Sequence, residues 1–256
     1  MKKVALLFCV AFSLALLAKP VLAAGGVPGA SADEAARILQ EGNARYVEGS
    51  CRHPHQDRER RALTAGQGQH PLAAVLTCSD SRVPPEIILD QGLGDIFVIR
   101  VAGNVSATDE IGSIEYAVDH LATPLVVVLG HTQCGAVTAV VDDAKLPPHI
   151  EALLEPIKPA VAKAREENPN AAKDVLLNVA IKDNVWQSVA DMLGQSPIIR
   201  DKVKAGQVRV VGAIYEIESG QVQWLGPLPE ERNLAGAKKG AGKTGKKGKK
   251  ARKSEE

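Results

Sequence analysis

Aromatic side chains are scarce in this chain: 256 residues include two Trp, three Tyr and three Phe. The Lys-rich stretch 236–256 contains none, so it lacks the platforms on which nucleic-acid bases stack. No internal repeat is evident, which argues for one domain instead of a repeat array. The apolar run 4–18, about 15 residues, is short for a membrane span. Cysteine is limited to Cys9, Cys51, Cys78 and Cys134.

At 45% hydrophobic content the chain can bury a sizeable core, and its composition is neither disordered nor fibrous. Met1-Lys2-Lys3, the apolar run and then Val21-Leu22-Ala23 follow the order of a secretory signal, which puts cleavage after Ala23. An uncleaved anchor is the alternative. Cys9 lies inside the apolar run with no lipobox around it, which argues against lipidation. Export makes the bacterial periplasm the expected compartment, with secretion as the alternative. The expected divisions are a signal peptide 1–23, a linker 24–31, a domain 32–229 and a disordered tail 235–256. The net charge of +1 hides an uneven distribution. Residues 236–256 carry nine Lys or Arg against two Glu, so the body of the chain is acidic. A solvated tail without function is the simplest reading; weak contact with an anionic envelope surface or with the acidic domain itself is the alternative, and no nucleic-acid partner is expected.

Ser31 and Glu34 have the spacing of a capping box at the head of a helix through Arg37, Ile38, Glu41 and Tyr46. The stretch 51–70 is polar and reads mainly as loop and short helix. Residues 72–77 form a short apolar run suited to a buried strand, and it delivers Cys78 at its C-terminal end. Two more runs, 96–101 and 124–129, lead into Ala102-Gly103-Asn104 and Gly130-His131, and 108–121 between them has near-helical spacing. Strand, helix, strand implies an α/β fold: a mainly parallel sheet flanked by helices, whose strand carboxyl ends collect ligands. Residues 147–197 look helical with a break at Asn168-Pro169. The runs 208–217 and 221–225 flank Glu218-Ser219-Gly220, a hairpin signal.

Two segments carry the chemistry: Cys78-Ser79-Asp80-Ser81-Arg82, and about fifty residues later His131-Thr132-Gln133-Cys134. Two thiolates and one imidazole suit zinc and leave its fourth position open. His131 and Cys134, three residues apart, can be aimed at one ion by a loop entering a helix. A buried thiol pair with a core His, or a Cys78–Cys134 disulfide in an oxidising compartment, is the competing reading. Zinc lowers the pKa of its bound water. Two thiolate ligands make that water less acidic than three imidazoles would, so activity is expected to favour alkaline pH. Asp80 can accept a hydrogen bond from the hydroxide, with Arg82 restraining the Asp. Cys51 is then a buried thiol or an intermolecular link. Cys51, His53 and His55 alternate as a second metal site could, although a solvated arm is the simpler account.

The paired motifs resemble those of the β-class carbonic anhydrases, and the resemblance runs from Ala32 to Pro229. It implies the β-carbonic anhydrase fold, one Zn2+ per chain on Cys78, His131 and Cys134, and reversible hydration of carbon dioxide to bicarbonate and a proton. Asp80 and Arg82 would be the orienting dyad, with Asp80 as a fourth ligand only in a closed, inactive form. Gln69, nine residues before Cys78, resembles the substrate-binding Gln of plant-like members. Phe97 and Tyr116 resemble aromatic positions of the active-site cleft, and Gly103 and Gly135 flank the motifs where they allow close backbone approach, Gly135 being grouped with the substrate-binding residues. The chain has no Trp before Trp186, unlike the bicarbonate-regulated branch. A homodimer or tetramer is implied, with the N-terminal helix crossing onto the partner. Relatives reuse the same site to hydrolyse carbonyl sulfide or carbon disulfide, and a non-catalytic zinc-binding envelope protein is the rival from another class. The proton shuttle is open among His53, His55, His70, His120 and His149.

Overall fold

The computed structural model describes residues 29–228, so the expected signal peptide, most of the expected linker and the Lys-rich stretch 236–256 lie outside the described residues. Five strands among these form one sheet in the order β2-β1-β3-β4-β5. β1 (Ala73–Thr77), β2 (Ile96–Arg100), β3 (Leu125–His131) and β4 (Arg209–Tyr215) are parallel. β5 (Val222–Gly226) returns antiparallel to β4, as the Glu218-Ser219-Gly220 signal predicts. Helices α1 (Ala32–Val47), α2 (Arg58–Gln67), α3 (Pro85–Ile88) and α4 (Thr108–Asp119) lie before β3. Helices α5 (Gly135–Val141), α6 (Pro148–Leu154), α7 (Lys158–Glu167), α8 (Lys173–Gln195) and α9 (Pro197–Ala205) follow it.

Every residue of β1 and β3 is buried, because helices cover both faces of the sheet. Side-chain alternation divides the core in two. Ala73, Val75, Leu125, Val127 and Leu129 pack with Ala35 and Leu39 of α1, and Ala74, Leu76, Val126 and Val128 pack with α4 and α8. A third cluster joins Cys78 and Cys134 to α5, α7 and the start of α8.

Three features bear on the sequence-based expectations. Ser31 caps α1 by accepting the Glu34 N–H, yet the reciprocal half of the capping box is missing, because Arg37 takes the Glu34 carboxylate. Helix α1, expected to cross onto a partner, is anchored on its own chain by its apolar face and by Asn43. Ala35 and Leu39 are fully buried there, and the Asn43 amide bonds the Ile88 and Gly220 carbonyls and the Val222 N–H. Helix also continues past the expected end of the stretch at Pro197: Ser196 closes α8 and caps α9, with Pro197 in the first turn of α9.

Candidate metal centre

Strands β1 and β3 are adjacent and parallel, so they release Cys78 and His131 at the same carboxyl edge. The Thr77 hydroxyl donates to the Leu129 carbonyl at 2.8 Å and ties the two strand ends together. The His131 loop is fixed to β4: the Thr132 N–H reaches the Tyr215 carbonyl at 3.0 Å, and the Ile217 N–H reaches the Thr132 hydroxyl at 3.1 Å. Gln133 takes a left-handed turn, φ 56°, and Cys134 follows as the N-cap of α5. The ligand atoms of Cys78, His131 and Cys134 lie within 4.8 Å of one another, and all three residues are buried.

This donor set fits zinc. The Nδ1–H of His131 donates to the Thr132 carbonyl at 2.9 Å, which fixes the tautomer and leaves the lone pair on Nε2. Nε2 is buried without a hydrogen-bond partner, which is costly unless it meets a metal. The neighbouring Cys134 thiol, with help from the Gly103 N–H, holds Cys78 down at about 4 against the effect of burial. Cys134 is pushed up because its proton is bonded to the Cys78 sulfur, and burial adds to the effect.

The Asp-Arg dyad is formed. Arg82 grips both oxygens of Asp80, Nε to Oδ1 at 3.0 Å and Nη2 to Oδ2 at 2.8 Å, and its backbone N–H adds a third bond at 2.9 Å. This pairing holds the Asp80 carboxyl at about 2. Arg82 Nη2 also reaches the Gln133 carbonyl at 3.3 Å, so one guanidinium joins both ligand loops. Asp80 Oδ2 stands 4.0 Å from His131 Nε2, beside the ligands with its oxygens committed to Arg82.

Two further residues shape the site: Arg100, to which the motifs gave no role, and Gly103, where close backbone approach is expected. Arg100, the last residue of β2, donates to the Cys78 carbonyl at 3.1 Å and the Asp80 carbonyl at 2.7 Å. Gly103 donates its N–H to the Cys78 sulfur at 3.3 Å. Strand order could have pointed to Arg100, because β2 ends beside β1. The Gly103 bond depends on a turn that spacing does not reveal.

Known proteins give the same answer. A family model described as carbonic anhydrase matches residues 73–222. The chain is 38% identical over 202 residues to carbonic anhydrase 2 of Mycobacterium tuberculosis, covering 76% of this chain and 95% of that protein. It is likewise 38% identical over 201 residues to a carbonic anhydrase of Mycolicibacterium smegmatis, covering 77% and 95%. Among solved structures, a β-carbonic anhydrase of Aspergillus fumigatus aligns with a TM-score of 0.63 at 29% identity, covering 72% of this chain and 89% of that one. One of two tetrameric β-carbonic anhydrases of Sordaria macrospora aligns with a TM-score of 0.60 at 28% identity, covering 75% and 96%. The chain belongs to the β-carbonic anhydrase family.

Not every residue expected in this β-carbonic anhydrase's site is brought there by one chain. Gln69 is exposed between α2 and β1, on the amino-terminal side of the strand that ends at Cys78. Its neighbours His70 and Pro71 line a cavity with Pro124, at the amino-terminal end of β3. Five strand residues at about 3.3 Å each separate that edge from the metal ligands, roughly 16 Å. Phe97, on the edge strand β2, pairs with Ala74, and its ring lies 6.1 Å from that of Tyr116, which in turn lies 5.1 Å from His120. Gly135 is exposed at the start of α5, and a Cβ there would meet nothing within 4 Å. Of the shuttle candidates, His55 is committed to the buried Asp95 carboxylate at 2.7 Å, and the His53 backbone N–H bonds Asp90. The segment carrying Cys51, His53 and His55 is therefore pinned instead of free, and Cys78, His131 and Cys134 form the one group of metal donors among the described residues.

Proposed function

We propose that this chain is an exported zinc carbonic anhydrase that interconverts carbon dioxide and water with bicarbonate and a proton. The observation that carries the reading is the convergence of Cys78, His131 and Cys134 beside an Asp80 carboxylate gripped by Arg82. Zinc, when bound, supplies a water acidic enough to serve as a hydroxide nucleophile near neutral pH. Cys78 and Cys134 contribute sulfur and His131 contributes Nε2, the atom its Thr132 bond leaves free.

Asp80 serves as the acceptor that orients the nucleophile. Its pKa of about 2 keeps it ionised throughout the neutral range, so it accepts and does not donate. With both oxygens and its turn held by Arg82, the carboxylate would be kept from acting as a fourth ligand to a bound zinc, as an open and active site requires. Arg100 fixes the backbone on either side of Ser79 and so sets where Asp80 stands. A protein that only stored metal would not need this orienting pair.

The working unit is a dimer or a larger even assembly. Gln69 is on the far edge of the sheet from its own ligands, and Phe97 and Tyr116 lie off them, so a second copy must present these groups if they bind substrate. Tetrameric structural relatives support such an assembly. The signal-like segment 1–23 supports a periplasmic address, and a periplasmic fraction whose mature mass begins at Ala24 would be its check.

Stopped-flow carbon dioxide hydration by the chain from Ala24 onward, from pH 6.5 to 9 with zinc measured on the same sample, tests the activity. Fast turnover that rises with pH at about one zinc per chain is expected. A zinc-loaded protein with no turnover at any pH would remove hydration and bring carbonyl sulfide or carbon disulfide hydrolysis forward.

A further inference from the structure

The backbone donor that reaches the Cys78 sulfur is itself held from two directions. Gly103 adopts φ 75° and ψ 14° in the turn Ala102–Asn104, a left-handed conformation suited to glycine. Ile157 closes one side, for a Cβ on Gly103 would lie 2.5 Å from Ile157 Cδ1. From the other side Asn184, on α8, donates its Nδ2 to the Gly103 carbonyl at 2.7 Å. Asn184 is 1% exposed, and its Oδ1 meets no partner within the protein. A buried amide that leaves one end unsatisfied carries a cost, so the bond it does make has a use. The next residue on the same turn is fixed separately: the Ser188 hydroxyl donates to the Asn104 carbonyl at 2.9 Å.

We propose that Asn184 is a positioning residue for the metal centre, holding the Gly103 carbonyl so that the Gly103 N–H stays aimed at the Cys78 sulfur. The inference rests on the zinc reading above. An N–H bonded to a ligand sulfur draws electron density from it and fixes its direction, and partners of this kind tune both affinity and electronics. The bond joins α8 to the ligand loop across 81 positions of sequence, so the longest helix helps to define the metal geometry.

Two readouts test it in the chain from Ala24 onward: zinc affinity by competition with a chromophoric chelator, and the thiolate-to-cobalt charge-transfer band after cobalt substitution. Asn184→Leu keeps the volume and removes the donor; it is expected to weaken zinc binding about 10- to 100-fold and shift the band. Ser188→Ala, which removes a bond from the same helix to the neighbouring carbonyl, is expected to leave both readouts unchanged. If Asn184→Leu does not fold, Asn184→Ser, too short to reach Gly103, is measured instead with the same expectation. Wild-type affinity and spectrum in a folded Asn184 variant would overturn the proposal. An equal loss in Ser188→Ala would also overturn it, since helix packing and not the Gly103 bond would then govern the metal. Failure of the wild-type protein to take up zinc at all would sink the zinc reading, and this inference with it.

Discussion

Replacing Asp80 with Asn is the most searching change that can be made in the dyad without changing its size. Arg82 donates Nε and its backbone N–H to Asp80 Oδ1, and Nη2 to Oδ2. Asn keeps one acceptor and puts an NH2 where Oδ2 stood, donor against donor. The lost bond is charge-assisted, but the Arg82 side chain is 46% exposed, so the stability cost is held to about 1 kcal/mol. Activity should suffer more, because a group built to accept from the nucleophile now donates. A loss of about 100-fold in kcat/KM is expected, equal to about 2.7 kcal/mol. Zinc content should be unchanged, since Asp80 is not among the three converging ligands. With its pKa near 2, Asp80 does not titrate between pH 6.5 and 9, so the variant's pH profile should be lowered without changing shape. Stopped-flow hydration with parallel zinc analysis gives all three readouts. Undiminished turnover would refute the orienting role, and zinc lost in step with activity would make Asp80 a ligand.

Asn43→Ala leaves the Ile88 and Gly220 carbonyls and the Val222 N–H without their buried partner. At about 1 kcal/mol each this costs about 3 kcal/mol, and thermal unfolding should show Tm lowered by about 6–12 °C. Thiol titration of the zinc-loaded chain from Ala24 should find only Cys51, which is half-buried, with Cys78 and Cys134 reacting once a chelator strips the metal. Early reaction of all three would mean that zinc does not protect the pair. The Asp80–Arg82 pairing holds its carboxyl below the ordinary value of about 3.9; its stabilisation is therefore full above that value and lost as pH falls through about 2. Acid titration should accordingly show the stability gap between wild type and Arg82→Ala closing over that window. Deleting 236–256 should leave hydration unchanged, and a fall in rate would give the Lys-rich tail a part in catalysis.

The parallel sheet was readable because β1 and β3 are short apolar runs buried on both faces, and each stops at a chemical residue. The metal ligands were readable for the same reason: a strand's carboxyl end fixes where the next side chain goes, so Cys78 and His131 meet whenever their strands pair in parallel. Asp80 and Arg82 share a turn with Cys78, and a local spacing was enough to find them. Arg100, Gly103 and Asn184 act across strands and from a distant helix. Their roles come from β2 lying beside β1, from a left-handed turn and from the packing of α8, none of which a one-dimensional spacing encodes.

Gln69 shows the opposite difficulty, a resemblance carried by sequence spacing that one chain's fold does not bring to its own metal ligands. A count of nine residues to Cys78 suggests proximity, but a buried parallel strand is a rigid spacer. Whatever precedes such a strand by more than a turn stands on the far edge of the sheet from whatever follows it. The five residues of β1 therefore separate Gln69 from its own metal ligands as surely as they deliver Cys78 to them. A substrate role for Gln69 and a catalytic monomer are thus incompatible, and the choice between them follows from strand geometry. If Gln69→Ala impairs hydration in the assembled enzyme while its chains keep their zinc, the site must be composed from two chains.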